Sequence, residues 1–91
     1  MDLRRVHVIV IGRVQGVGFR YFVLEQANTL GLAGWVRNLP NGTVEAEAEG
    51  TQASLENWLK ALAKGPSLAR VKNIDIEWKA PQQTDIIFEI V

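Results

Sequence analysis

Two glycines and an arginine, Gly16, Gly18 and Arg20, occur within segment 12–20, which reads GRVQGVGFR. Glycine adopts left-handed backbone conformations without steric cost, so successive backbone N–H groups can converge on one point. A helical apolar pattern begins at Phe19, and the N-terminus of a helix favours a bound anion. Arg20 lies in the first turn of this helix, where a cation is unfavourable for the helix dipole unless an anion is bound there. Its planar guanidinium suits two phosphate oxygens. The segment therefore predicts a site for one phosphate group.

Segment 12–20 does not match the loops that bind larger nucleotides. It lacks both the Gly-Lys-Ser/Thr ending of a Walker A loop and the Gly-x-Gly-x-x-Gly spacing of a dinucleotide fold. Two interpretations without a ligand stay open on the residues alone. Gly16 and Gly18 could serve only as turn residues, and Arg20 could be a surface arginine that covers apolar neighbours.

Asn38 ends a predicted strand and is a candidate for positioning water. Its side-chain amide can donate and accept hydrogen bonds at once, which suits holding a water molecule but not deprotonating it. If this strand runs parallel to the first strand, its C-terminal end lies beside the loop that contains Arg20. The alternative is that Asn38 only caps the reversal at 40–42, which reads PNG.

Other catalytic chemistry is restricted by the residue types present. The chain has no cysteine and one histidine, His7, which excludes thiolate nucleophiles and multi-histidine metal sites. His7 precedes Gly12 by about 17 Å of extended chain, so we expect a residue on a sheet face rather than a general base. Glu45, Glu47 and Glu49 alternate along a strand, and we expect them to face water rather than bind a metal.

Charge and length limit the possible partners and the size of the domain. Ten basic and ten acidic residues give no net charge, which argues against binding nucleic acid mainly through charge. No apolar run approaches the about 20 residues of a membrane span, and none resembles a secretory signal. We expect one domain over residues 1–91, a monomer, with a cytoplasmic location and no contact with membranes.

Hydrophobic periodicity and turn signals divide the chain into seven elements. In chain order we predict a strand at 6–11, a helix from Phe19 ended by Gly31, strands at 33–38 and 43–49, a helix capped by Thr51 and ended before Gly65, and strands at 71–78 and 86–90.

The order β-α-β-β-α-β with one extra short C-terminal strand predicts an α+β, ferredoxin-like sandwich. Its sheet is mostly antiparallel and carries both helices on one face. RNA-recognition motifs share this order and display aromatic residues on the inner strands. The predicted strand at 6–11 has no aromatic of that kind, and the glutamates at 45, 47 and 49 would repel a phosphate backbone.

Two segments resemble the signatures of the acylphosphatase family. Segment 12–20 is similar to the first signature, and GWVRN at 34–38, followed by Gly42, Val44 and Gly50, is similar to the second. The spacing of both signatures is intact. Larger residues occupy position 18 in some members, so Gly18 could change the flexibility of the loop.

The resemblance implies an enzyme that hydrolyses acyl phosphates to a carboxylate and inorganic phosphate without a metal or cofactor. Arg20 and Asn38 would be the catalytic residues, with Asn38 orienting the attacking water. Inorganic phosphate would be both product and inhibitor. The substrate phosphate would bind to the loop residues Gln15, Gly16, Val17, Gly18, Phe19 and Arg20.

One alternative function belongs to a different class. A regulatory module of the same fold could bind a small anion without turning it over. Arg13 and Arg37, expected near the site, would serve binding as well as catalysis.

Overall fold

A computed structural model describes residues 2–91. Five strands and two helices follow one another in the predicted order. They are β1 (Leu3–Arg13), α1 (Phe19–Thr29), β2 (Ala33–Asn38), β3 (Val44–Thr51), α2 (Gln52–Lys64), β4 (Arg70–Lys79) and β5 (Phe88–Ile90).

β1 is longer at both ends than its apolar run at 6–11. Before that run, Arg4 pairs with Gly50 and Arg5 with Glu49 of β3, and after it Arg13 pairs with Arg70 of β4. Polar residues extend the strand because neighbouring strands on both sides supply hydrogen-bonding partners. The limits of the apolar run were therefore a poor guide to the limits of the strand.

The five strands form one sheet in the order β4-β1-β3-β2-β5. All pairs are antiparallel except the parallel pair of β2 and β5. This arrangement confirms the predicted ferredoxin-like α+β fold, and it shows that the C-terminal strand extends the sheet beside β2.

The relation between β1 and β2 decides where their ends lie. Both strands are antiparallel to β3, so they run parallel to each other. Their C-terminal ends therefore lie at the same edge of the sheet. The loop after β1 and Asn38 at the end of β2 meet at that edge.

The core lies between the two helices and one face of the sheet. Alternate residues of β1 are fully buried there. Thr51 caps α2 as predicted, because its hydroxyl oxygen accepts a hydrogen bond from the backbone N–H of Ser54 at 3.2 Å. Within residues 2–91, no helix has the length and apolar character needed to cross a membrane.

The prediction that the strand glutamates all face water is wrong. Glu47 and Glu49 of β3 are only 5% and 8% exposed, and Glu45 is partly covered. The reason is Arg5 on the adjacent strand, which is itself 2% exposed. Its guanidinium donates to Glu47 and, at 3.1 Å, to Glu49.

A segment between β4 and β5, residues 80–87, which we call the strap, contributes to this ion cluster. Arg5 pairs with Asp85 of the strap at 2.8 Å. The backbone N–H groups of Gln82 and Gln83 donate to the Glu49 carboxylate at 2.7 and 2.9 Å. The cluster thus links the strap to the face of the sheet opposite the helices.

The cluster also sets the acidity of its carboxyl groups. Burial by itself raises the pKa of Glu47, but hydrogen bonds from Arg5 and Lys79 outweigh it and hold that pKa below its usual value. For Glu49, burial is outweighed in the same way by Gln82, Arg5 and Gln83, so its pKa is also lowered. Both groups are therefore stabilised as carboxylates in the folded protein.

Replacing Arg5 with methionine leaves two buried carboxylates without their shared cation. We expect the variant to lose about 3 kcal/mol of unfolding free energy at neutral pH, measured by urea denaturation. Arg4→Met is the matched control, because Arg4 is exposed and lies 3.8 Å from Asp2. That control should change stability by less than about 0.5 kcal/mol.

The same cluster predicts how stability depends on pH. Because the folded pKa values of Glu47 and Glu49 are lowered, their contribution is complete above about 4.3, the ordinary pKa of glutamic acid. It is lost as the pH falls through the lower folded values. This acid-dependent loss should be smaller in Arg5→Met, and equal stability of the Arg5 and Arg4 variants would contradict the role of the cluster.

Candidate functional site

The loop between β1 and α1 has two glycines in the left-handed region, Gly16 at φ 74° and Gly18 at φ 77°. A Cβ added at either position would meet nothing within 4 Å. Backbone conformation, rather than lack of space, therefore makes glycine suitable at both positions. Val14 is buried, and Val17 packs against the core, so apolar contacts anchor the loop before Gly16 and between the two glycines.

The start of α1 has free hydrogen-bond donors. Gly18 is its N-cap and offers no side-chain acceptor, and its first turn has no acidic residue. Within residues 2–91, no backbone N–H from Gln15 to Tyr21 donates to a backbone or side-chain group. The start of α2 differs, because there the Thr51 side chain accepts a hydrogen bond from a backbone N–H. The loop and helix together present a run of N–H groups that can receive an anion.

Arg20 and Asn38 line one cavity of about 190 Å³ at this edge of the sheet. Arg20 is exposed and makes no ion pair within the described part of the chain. The residues that line the cavity are Val14, Gly16, Gly18, Phe19, Arg20, Tyr21, Asn38 and Ile90. Two residues 18 positions apart, chosen from the sequence for separate reasons, are thus brought together.

Asn38 has a buried side-chain oxygen with no hydrogen-bond partner in residues 2–91. The reversal after β2 uses other groups. Asn41 Oδ1 accepts from the Thr43 N–H at 3.1 Å and the Thr43 hydroxyl at 2.6 Å, while the Leu39 N–H donates to the Thr43 carbonyl at 2.9 Å. The cap of the turn is therefore Asn41, and the Asn38 side chain takes no part in that cap.

Two predicted loop residues do not line the cavity. Val17 packs toward the core, and the Gln15 side chain points to the turn after β2. Its Nε2 donates to the carbonyl oxygens of Leu39 at 2.8 Å and Thr43 at 2.9 Å. Only their backbone N–H groups remain available to an anion.

Tyr21 and Ile90 line the cavity although sequence reasoning did not select them. Tyr21 follows Arg20 in the first turn of α1 and is 65% exposed. Ile90 comes from β5, which pairs with β2 in parallel. Tyr21 could have been found from its position in the helix, but no local signal places Ile90 beside Asn38.

His7 lies on a face of the sheet, as predicted, and not in the cavity. This is the open face, which is opposite the helices. Its Nε2 is 2.7 Å from Glu45, which also accepts from Arg37 at 2.7 Å. Burial raises the pKa of Glu45, but the hydrogen bonds with His7 and Arg37 outweigh it and lower that pKa. Arg37 also lies over Trp35, 5.3 Å from the ring centre. Neither Arg37 nor Arg13, both expected near the site, lines the cavity.

A larger cleft lies elsewhere on the molecule. Its volume is about 490 Å³, and Arg4, Gln52 and Trp78 are among its lining residues. It contains none of the predicted site residues, and Lys79 in its wall is paired with Glu47 at 3.2 Å. Within residues 2–91, no three histidine, aspartate or glutamate side chains are grouped closely enough to hold a metal. The smaller cavity is therefore the candidate active site.

Fold and site together define a ferredoxin-like α+β domain whose uncapped first helix adjoins a small cavity lined by Arg20 and Asn38. Comparison with known proteins shows its family. A model of the acylphosphatase family matches residues 6–90. The chain therefore belongs to the acylphosphatase family, whose members are enzymes that hydrolyse acid anhydrides.

Similar proteins cover almost the whole chain. The acylphosphatase of Moorella thermoacetica is 49% identical over 82 residues, which cover 90% of this chain and 88% of that protein. The acylphosphatase of Chloroflexus aurantiacus is 43% identical over 91 residues, covering 100% and 99%. The crystal structure of acylphosphatase from Bacillus subtilis is 40% identical, covers 98% of both chains and has a TM-score of 0.93.

The free oxygen of Asn38 generates a stability prediction. We expect Asn38→Ala to change the unfolding free energy by less than about 0.5 kcal/mol, because no hydrogen bond is lost. Asn41→Ala, the matched variant, should cost about 1 kcal/mol, because it removes two acceptor contacts in the turn. Urea denaturation of both variants measures the difference. A larger loss for Asn38→Ala would assign Asn38 to the turn instead.

Proposed function

We propose that this chain hydrolyses the carboxyl-phosphate bond of acyl phosphates, giving a carboxylate and inorganic phosphate. The observation that carries the proposal is the meeting of Arg20 and Asn38 in one cavity beside the free N–H groups that begin α1. Membership of the acylphosphatase family supports the same reaction.

The phosphoryl group binds at the start of α1. The guanidinium of Arg20 pairs with two of its oxygens, and the positive end of the helix dipole adds to the attraction. These groups also stabilise the charge on the equatorial oxygens as the transition state forms. The backbone N–H groups that contact the phosphate belong to Gln15, Gly16, Val17, Gly18, Phe19 and Arg20.

The leaving group explains why so few catalytic groups are needed. A carboxylic acid has a pKa of about 4, so the carboxylate departs as a stable anion without a proton donor. An alkoxide would need such a donor. Arg20 is the one charged residue among those described in the cavity lining, and no carboxylate or imidazole lines it. This set of residues suits an acyl phosphate and not an alkyl phosphate.

Asn38 orients the water that attacks phosphorus. Its amide can accept from the water and donate to a phosphate oxygen, which aligns the water opposite the leaving carboxylate. The water oxygen forms a bond to phosphorus, the phosphorus–oxygen bond to the acyl group breaks, and the carboxylate keeps that electron pair. A proton of the water passes to a phosphate oxygen. No metal or cofactor takes part in the proposed reaction.

The size of the cavity limits what is enclosed. Its volume of about 190 Å³ is below the about 300–1,000 Å³ of sites that enclose drug-sized ligands. The phosphoryl group occupies the cavity beside Arg20 and Asn38, and the acyl group extends out of the cavity. We therefore expect the enzyme to accept acyl groups of different sizes.

The proposal is tested by measuring phosphate release from acetyl phosphate with a chelator present. We expect turnover that the chelator leaves unchanged, competitive inhibition by inorganic phosphate, and no comparable turnover of an alkyl phosphate. Anion binding without turnover would support the regulatory module instead. A requirement for added divalent metal would contradict the mechanism.

Two substitutions separate binding from catalysis. Arg20→Ala should lower kcat by about 10² to 10³ or more and weaken inhibition by phosphate, because it removes the cation that holds the phosphoryl group. Asn38→Ala should lower kcat by a similar factor of about 10² to 10³ and weaken phosphate inhibition only modestly, because Asn38 donates at most one hydrogen bond to the phosphate. Gln26→Ala in α1 is the control, and activity near wild type in either site variant would contradict the assigned role.

A further inference from the structure

The Gln15 side chain is the direct polar connection between the two halves of the site. Its Nε2 donates both hydrogens, one to Leu39 O at 2.8 Å and one to Thr43 O at 2.9 Å. In the described part of the chain, no other side-chain hydrogen bond joins the loop after β1 to the turn after β2. Gln15 precedes the first glycine of the loop, and Leu39 directly follows Asn38.

The turn after β2 does not need Gln15 in order to close. The Leu39 carbonyl already accepts from the Gly42 N–H at 3.1 Å, and the Thr43 carbonyl accepts from the Leu39 N–H at 2.9 Å. Each carbonyl oxygen has a second lone pair, and Gln15 uses that remaining capacity. The additional contribution of its side chain is therefore a fixed spacing between loop and turn.

We propose that Gln15 is a positioning residue that sets the distance between the phosphate-binding loop and Asn38. The inference rests on the proposed function, because the spacing matters for a water that must attack in line with the leaving group. The loop contains two glycines with few conformational restrictions, and an error of about 1 Å in such an arrangement can cost about 10² in rate. The hydrogen bond to Leu39, the next residue after Asn38, and the hydrogen bond to Thr43 hold the turn, and with it Asn38, at a fixed distance from the loop.

Gln15→Met tests the proposal, since methionine has a similar length and no hydrogen-bond donor. With acetyl phosphate as substrate, we expect kcat to fall about tenfold or more, while the inhibition constant of inorganic phosphate stays within about threefold. The loop amides and Arg20 remain intact, so binding should change less than catalysis. Gln26→Met is the matched control, because Gln26 is a half-buried glutamine of α1.

A double-mutant cycle separates positioning from a general structural role. In an Asn38→Ala background, Gln15→Met should lower kcat by no more than about twofold, because the group that it positions is already absent. If Gln15 only supports the fold, its effect on kcat will be the same in both backgrounds. That outcome would overturn the inference, as would a kcat for Gln15→Met equal to wild type.

A folding measurement and a second variant separate a loss of positioning from a loss of folding. Urea denaturation checks that Gln15→Met is folded, and Gln15→Asn replaces it if it is not, because asparagine keeps the donors but is one methylene too short to reach both carbonyls. We expect Gln15→Asn also to lower kcat more than it changes phosphate inhibition. A wild-type protein without turnover would overturn both the proposed function and this inference, whereas an active wild type with an unaffected Gln15→Met would overturn only the inference.

Discussion

The antiparallel pairing of β3 with both β1 and β2 is the constraint on which the site depends. Because the two outer strands of this group run parallel, their C-terminal ends share one edge of the sheet. One end leads into the loop with the free N–H groups, and the other end carries Asn38. Neither half is a site alone: the loop presents N–H groups suited to an anion, and Asn38 supplies an amide that the turn does not use.

The ion cluster on the open face influences the same edge from a distance. Arg5 and Glu49 hold the strap, and the strap leads into β5. Main-chain hydrogen bonds from Gly34 to Ile87 and from Val91 to Val36, both 3.0 Å, then fix β5 beside β2. This places Ile90 in the wall of the cavity. Charges far from the cavity thus help to determine its shape.

Features encoded locally were predictable from the sequence, whereas those that depend on distant contacts were not. The loop at 12–20 and the α2 cap are local patterns, and the element order led to the fold. Burial of Glu47 and Glu49 requires Arg5 and a strap more than 30 positions away, which strand alternation does not reveal. The Gln15 contacts span 24 and 28 positions. The role of Asn38 in the turn stayed open until the structure showed that Asn41 fills it.

A crystal structure with bound tungstate tests whether one oxyanion binds between the start of α1 and Asn38. We expect the oxyanion in the cavity, with its oxygens on the Arg20 guanidinium and the backbone N–H groups of residues 15–20, and a water beside Asn38. Tungstate bound instead in the larger cleft near Arg4 and Trp78, with the cavity empty, would show that this site does not bind the phosphoryl group.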